Sequence, residues 1–184
     1  MPDRFDLQPF LQGELLIVRP LRADDYDALY SAASDPLIWE QHPEPRHQEA
    51  TFRAFFDSHL ASGGAVAVCE RPTGAIIGTS RFHGFDAERS EVEIGWTFLQ
   101  RPYWGGVYNR ELKQLMVGHA FRFVESVVFL VHPDNMRSRR AVEKLGAQLI
   151  GRRHNADGRE SLAFELRRSD PRPAWPSTPA ERVR

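Results

Sequence analysis

The chain has one cysteine, Cys69, and two lysines, Lys113 and Lys144, among its 184 residues. A single thiol excludes an internal disulfide framework and any multi-cysteine metal site, so packing has to hold the fold, and a reducing compartment fits. Few lysines among many arginines is a bias of the kind genome composition sets, and no function is read from it. No apolar run approaches the ~20 residues that span a bilayer. The opening Met-Pro-Asp-Arg-Phe-Asp also lacks the basic start and apolar stretch of a secretory leader. A cytoplasmic protein with no membrane partner is expected. A formal net charge of -1, with the basic residues scattered along the chain, offers no footprint for nucleic acid. Neither common nucleotide-binding pattern is present: there is no GxxxxGK[ST], and no GxGxxG follows a strand. That disfavours an ATPase or a dinucleotide enzyme. There is no internal repeat.

What is present suffices for one good core, and a single domain over 1–168 is expected. Residues 15–18 form a short apolar run ending at Pro20, and 23–34 carries helical spacing through Tyr26, Leu29 and Tyr30. "SDPLIWEQHPEPRH" holds three prolines and reads as a loop. A second helix over 49–60 presents Phe52, Phe55 and Phe56 on one face and stops at Ser62-Gly63-Gly64. "AVAVCE" and "AIIGTSRF" flank the turn "RPTG" as a hairpin, and "EVEIGWTFL" is a third strand. Its alternation puts Val92, Ile94, Trp96 and Phe98 on one apolar face.

Gly105-Gly106 then precedes a helix marked by Leu112, Leu115, Met116, His119 and Phe123. "SVVFLV" follows, apolar on both faces as central strands are. Strand, helix and buried strand in succession predict a right-handed crossover between parallel strands, and so a mixed sheet. A helix over 136–145, capped by Asp134 or Asn135 and ended by Gly146, leads to a closing hairpin of "AQLIGRRH" and "SLAFEL". Residues 169–184 have too little apolar content to fold alone and are expected to form a disordered tail. The fold class is α/β, with an α+β mixed central sheet flanked by helices.

Two glycines are a poor helix start, because Ser, Thr, Asp or Asn would hold the first N–H groups better. They do let the backbone close around an anion at the positive end of a helix dipole, so a phosphate site stands beside a plain tight turn. "VEIGWTFL", "YWGGVYNRELK" and "NMRSRRAVEKLG" together resemble the GNAT superfamily of acyl-CoA-dependent N-acyltransferases. The likeness is closest to the branch related to the ribosomal-protein N-terminal acetyltransferases, and it runs over about residues 15–166. It implies that the sheet splays between "EVEIGWTFL" and "SVVFLVH" to admit pantetheine, while the helix start after the glycines holds the CoA pyrophosphate. The family usually has Gln or Arg three positions before the first glycine and a Gly-x-Gly or Gly-x-Ala spacing. This chain has Pro102 there, and Gly105-Gly106-Val107. Backbone N–H groups do the binding, so Val107 is compatible with it.

The resemblance implies acetyl-CoA as co-substrate and no metal. It assigns the CoA contacts to Trp96, Thr97, Phe98, Trp104, Gly105, Gly106, Val107, Tyr108, Asn109, Asn135, Ser138 and Arg140. The reaction is acetyl transfer to a primary amine of a small molecule or a protein N-terminus. Such amines, with pKa near ~10.4 or ~8, are mostly protonated at pH 7 and need a base. Glu93, at an acidic position of the family strand, is the first candidate and His83 the second. Alternation puts Glu91 and Glu93 opposite the apolar face, where a solvated carboxylate is the plain alternative. Backbone N–H groups at 96–98 would meet the oxyanion. The tyrosine that protonates the thiolate in many relatives is missing from Ala141-Val142-Glu143-Lys144-Leu145, which leaves Ser138 as donor or thiol contact. Asn135 either touches pantetheine or simply caps its helix. Trp39, Glu40 and His42 are assigned to an acceptor-binding lid over 39–44, where Trp39 equally suits closing the core. A monomer or homodimer is expected. The competing function is a catalytically weak CoA-binding or sensing module.

Overall fold

A computed structural model describes residues 5–171. Among the described residues are eight strands and four α-helices. They are β1 (Leu11–Gln12), β2 (Leu16–Pro20), α1 (Tyr26–Ala33), α2 (Glu49–Ala61), β3 (Ala65–Glu70), β4 (Ile76–Asp86), β5 (Glu91–Leu99), α3 (Val107–Ala120), β6 (Ser126–Val131), α4 (Met136–Glu143), β7 (Gln148–His154) and β8 (Glu160–Arg167). They make one sheet of order β1-β2-β3-β4-β5-β6-β8-β7. Every neighbouring pair is antiparallel except β5 and β6, which the α3 crossover joins in parallel. The expected mixed sheet is therefore present, and the elements lie where periodicity placed them, with β1 added at the edge. The expected tail lies, from residue 172 on, outside the described residues.

Burial divides the helices between the two sheet faces. Leu112, Met116, Val117 and Ala120 of α3 and Val142 of α4 join Val92 and Ile94 in one core cluster. Leu29 of α1 and Phe52, Phe55 and Phe56 of α2 join Phe98 and Trp39 in the other. The two clusters take alternate parts of β5, which contradicts the single apolar face expected there. Thr79 pairs with Phe98 but Arg81 pairs with Gly95, so Trp96 and Thr97 together oppose Ser80. Such a bulge needs an unusual backbone, and Trp96 has φ +51. The extra residue moves Phe98 to the face opposite Val92 and Ile94.

The same strand parts from β6. Their ladder consists of Glu91 with Ser126, Val92 with Val127 and Glu93 with Val128, and it goes no further. From Ile94 onward β5 has no strand on its β6 side. On the first face, α3 is fixed by a half-buried anchor. The Glu111 carboxylate accepts the N–H groups of Glu14 (2.7 Å), Leu15 (2.9 Å) and Leu16 (2.8 Å) at the entry to β2. A Cβ on Gly13 would collide with that carboxyl group, which accounts for the glycine.

Candidate active site

The opening between β5 and β6 is the mouth of a cavity of about 830 Å³. Trp39, His42, Glu93, Thr97, Asn109 and Ser138 are among the residues on its wall. The splay, the start of α3, the start of α4 and the 39–43 loop meet there because their anchors converge. Trp104 Nε1 donates to the Leu99 carbonyl at 2.8 Å, which holds the turn before α3 against the end of β5. The Arg137 guanidinium lies 3.9 Å from the centre of the Trp104 ring. The Arg137 N–H donates to Gln41 Oε1 at 3.0 Å, so α4 is tied both to that turn and to the loop.

The diglycine turn is open at the surface where a ligand would approach. Gly105 has φ +68, a conformation that disfavours any side chain. Gly106 is the residue before α3, and no side chain caps the helix. A Cβ at Gly105 would meet nothing within 4 Å, and one at Gly106 only the Trp104 carbonyl at 3.8 Å. Arg110, Arg140 and Lys144 line the cavity, and none has an ion-pair partner among the described residues. Unsatisfied N–H groups, a helix dipole and unpaired cations suit the phosphates of CoA. Arg110 and Lys144 were not among the expected contacts, because an arginine or lysine on a helix reads from sequence as solvated.

Of the expected contacts, Trp96, Thr97, Phe98, Trp104, Gly105, Gly106, Asn109, Asn135, Ser138 and Arg140 line the cavity. Val107 and Tyr108 do not. Val107 is 51% exposed, and Tyr108 turns away to pack edge-on against Tyr103 with ring centres 4.9 Å apart. Asn135 caps α4, its Oδ1 accepting the Ser138 N–H at 3.0 Å.

Glu93 faces the cavity rather than open solvent. Its partner across the sheet is His83. Burial pushes the Glu93 carboxyl up to about 7, although Arg81 and Arg153 oppose the shift. Arg153 is committed elsewhere, to Glu91 at 2.6 Å. His83 does not line the cavity. Its Nδ1 accepts from Arg81 Nη2 at 3.0 Å, and burial followed by the arginine holds its pKa below the usual histidine value.

On the acceptor side the structure brings in Trp39 and His42 but not Glu40. Trp39 does both things considered for it, since it donates from Nε1 to the Ala33 carbonyl at 2.8 Å within the second core and also forms cavity wall. His42 Nδ1 accepts the Glu44 N–H at 3.1 Å. Burial, then Arg46, brings its pKa down to about 4, so the ring is neutral at pH 7. Glu40 does not line the cavity, and its carboxylate lies 3.8 Å from Arg137. Among the described residues no group of three or more His, Cys, Asp or Glu is arranged to hold a metal ion, and no helix is long and apolar enough to cross a membrane.

A mixed sheet that parts beside an open helix start, with a half-buried carboxyl at the gap, is the arrangement that the sequence resemblance led us to expect. A family model described as an acetyltransferase (GNAT) domain matches residues 16–148. The chain belongs to the GNAT family and is an acyltransferase. It is 25% identical over 139 residues to the uncharacterized N-acetyltransferase YnaD of Bacillus subtilis (strain 168), covering 74% of this chain and 81% of that one. A GCN5-related N-acetyltransferase from Brucella melitensis superposes with TM-score 0.76 at 21% identity, over 87% of this chain and 79% of the other. RimJ of Mycobacterium smegmatis, solved in complex with CoA-disulfide, gives TM-score 0.63 at 18% identity, over 88% and 87%.

Proposed function

We propose that this chain transfers an acetyl group from acetyl-CoA to a primary amine of a small molecule or a protein N-terminus. The observation that carries this reading is the convergence of the uncapped α3 start and the β5–β6 gap on one cavity with Glu93 half-buried in its wall. The CoA-disulfide complex of RimJ supports a CoA ligand at such a cavity.

Each part of the chemistry has a residue suited to it. N–H groups at the α3 start, with Arg110, Arg140 and Lys144, hold the phosphates. The strandless edge of β5 beyond Glu93 offers N–H groups to the thioester carbonyl as it becomes an oxyanion. Glu93, near 7, accepts the proton of the incoming amine, directly or through water. A base near the working pH is half ionised there and still basic enough to take the proton. Trp39 and the neutral His42 shape the acceptor side.

The test is release of free CoA thiol in steady state with a panel of amines. Wild-type protein is expected to turn over with at least one amine, its rate rising with pH through about 7 as Glu93 ionises. Glu93→Gln should lower kcat/KM by roughly 10² to 10⁴ and remove that rise, with CoA affinity nearly unchanged. A wild-type rate in the variant would take Glu93 out of the mechanism. CoA binding without thiol release for any amine would leave a sensing module instead.

A further inference from the structure

A buried lysine lies where the two strands part. Lys113, on α3, is 5% exposed. Its Nζ donates to Thr97 Oγ1 on β5 at 2.9 Å and lies 5.4 Å from the centre of the Phe129 ring on β6. Both residues are beyond the last ladder pair, Glu93 with Val128, so the amine bridges the strands after they have separated. It is also part of the cavity wall.

The hydrogen bonding around Lys113 is incomplete. An ammonium group carries three N–H bonds, and the contact with Thr97 uses one of them. Thr97 Oγ1 lies 2.7 Å from Ser80 Oγ, and the Ser80 hydroxyl reaches the Gly95 carbonyl at 3.4 Å, so the hydroxyl chain runs away from the lysine towards β4. Among the described residues no carboxylate pairs with Nζ. The charged or titratable groups facing the same cavity are Glu93 on β5, Arg110 on α3, His132 after β6, Arg137 and Arg140 on α4 with Lys144 just after it, His42 and Arg46 in the chain before α2, and Asp157 and Arg159 between β7 and β8. None of them forms an ion pair with Lys113, and burial alone brings its pKa down to about 7. A buried cation without a counter-ion is unfavourable. It makes chemical sense where an anion arises beside it, and thioester aminolysis releases a thiolate once per turnover.

We propose that Lys113 is the acid that protonates the sulfur leaving the acyl donor. The proposal rests on reading the β5–β6 gap as the acyl-donor site. The acceptor nitrogen forms the C–N bond to the acyl carbon and loses its proton to Glu93. The C–S bond then breaks with its electron pair on sulfur. The Lys113 ammonium gives that sulfur a proton, leaving a thiol and a neutral amine that regains its proton from solvent. An alkyl thiol has a pKa near ~8.5, above that of Lys113, so the transfer runs downhill. The Ser138 hydroxyl is a far weaker acid, and it becomes a contact to the ligand rather than the proton source.

Lys113→Met keeps the apolar stem and removes the amine, and its melting temperature should equal or exceed the wild type because a buried charge is gone. With an amine that wild-type protein acetylates, its kcat should fall about 10- to 100-fold. The wild-type rate should decline above about pH 7–8 as Lys113 loses its proton, and that alkaline decline should vanish in the variant. A readout without turnover compares CoA with desulfo-CoA, the same molecule lacking sulfur, by calorimetry at pH 6.5, where Lys113 keeps its proton and can donate it to the sulfur. Wild-type protein should favour CoA by about tenfold and Lys113→Met should lose the preference, since the two-by-two comparison isolates the lysine–sulfur contact. Lys113→Arg should keep the preference for sulfur yet stay slow, because arginine retains its proton. An unchanged alkaline decline together with an unchanged CoA preference in Lys113→Met would overturn the role of Lys113 while leaving the acetyltransferase intact. Failure of wild-type protein to bind CoA at all would instead overturn the acyl-donor site itself.

Discussion

Two helices begin at the rim of the same cavity, and they begin differently. α4 opens on Asn135, whose side chain accepts the Ser138 N–H, and its first turn is tied to Gln41 and stacked on Trp104. α3 opens on Gly106 with no side-chain cap, beside unpaired Arg110, Arg140 and Lys144. Both ends carry the same partial positive charge. The protein satisfies the first and leaves the second available, so the start of α4 acts as framework and the start of α3 as binding site. An open end would leave α3 poorly fixed were it not held from its flank by Glu111, which receives three backbone N–H groups from the chain before and in β2.

The contrast can be broken at several places. Glu111→Ala has the largest expected effect: loss of a carboxylate that satisfies those N–H groups should lower stability by about 2–4 kcal/mol in urea unfolding. A loss under ~1 kcal/mol would mean that the helix is positioned by its apolar face alone. Glu93→Gln tests the wall opposite the helix starts and acts in the other direction. A raised carboxyl pKa means that the folded protein holds more protons than the unfolded chain between about pH 4.5 and 7, so its stability contribution is lost as pH rises through that window. At pH 8 the glutamine variant should therefore be more stable, by on the order of 2 kcal/mol, with the difference shrinking towards pH 4. Gly105→Val forces a branched residue to φ +68 and should cost about 1–2 kcal/mol while weakening CoA. Asn135→Ala removes the α4 cap for ~1 kcal/mol and should change acetyl-CoA affinity by no more than about twofold. A tenfold loss there would show that the start of α4 binds ligand as well.

Much of this could be read from the sequence, for a physical reason. Periodicity reports which face of an element is buried, and that was enough to place α2, α3, the β3–β4 hairpin and the parallel crossover. The two glycines also spoke for themselves, since nothing about helix capping explains them. Trp96 marks where periodicity stops working. A bulge of one residue reverses the facing of Phe98, yet "EVEIGWTFL" alternates as well as any flat strand. Lys113 was illegible for a related reason: it shares the buried face of α3 with Met116, Val117 and Ala120, but the stripe read from the sequence ran through Leu112, Leu115, Met116, His119 and Phe123, and a lysine beside such a stripe is normally solvated. Glu93 lay between these cases. Its position on the face opposite Val92 was legible, but whether that face meets water or a cavity depends on Arg81, Trp96 and the 39–43 loop, which come together only in the fold.

The most direct test of the contrast is to give α3 the cap it lacks. Gly106 has an ordinary φ of -142 and open space at its Cβ, so Gly106→Asp can hold the first N–H groups of α3 without strain. Acetyl-CoA titrated calorimetrically into wild-type and Gly106→Asp protein, with melting temperatures taken beside it, reads both consequences. The variant should melt higher without ligand, by the equivalent of about 0.5–1 kcal/mol. It should bind acetyl-CoA at least tenfold more weakly, because its carboxylate occupies the N–H groups and repels phosphate. Equal affinity for acetyl-CoA in the two proteins would contradict the assignment of the α3 start as the phosphate site.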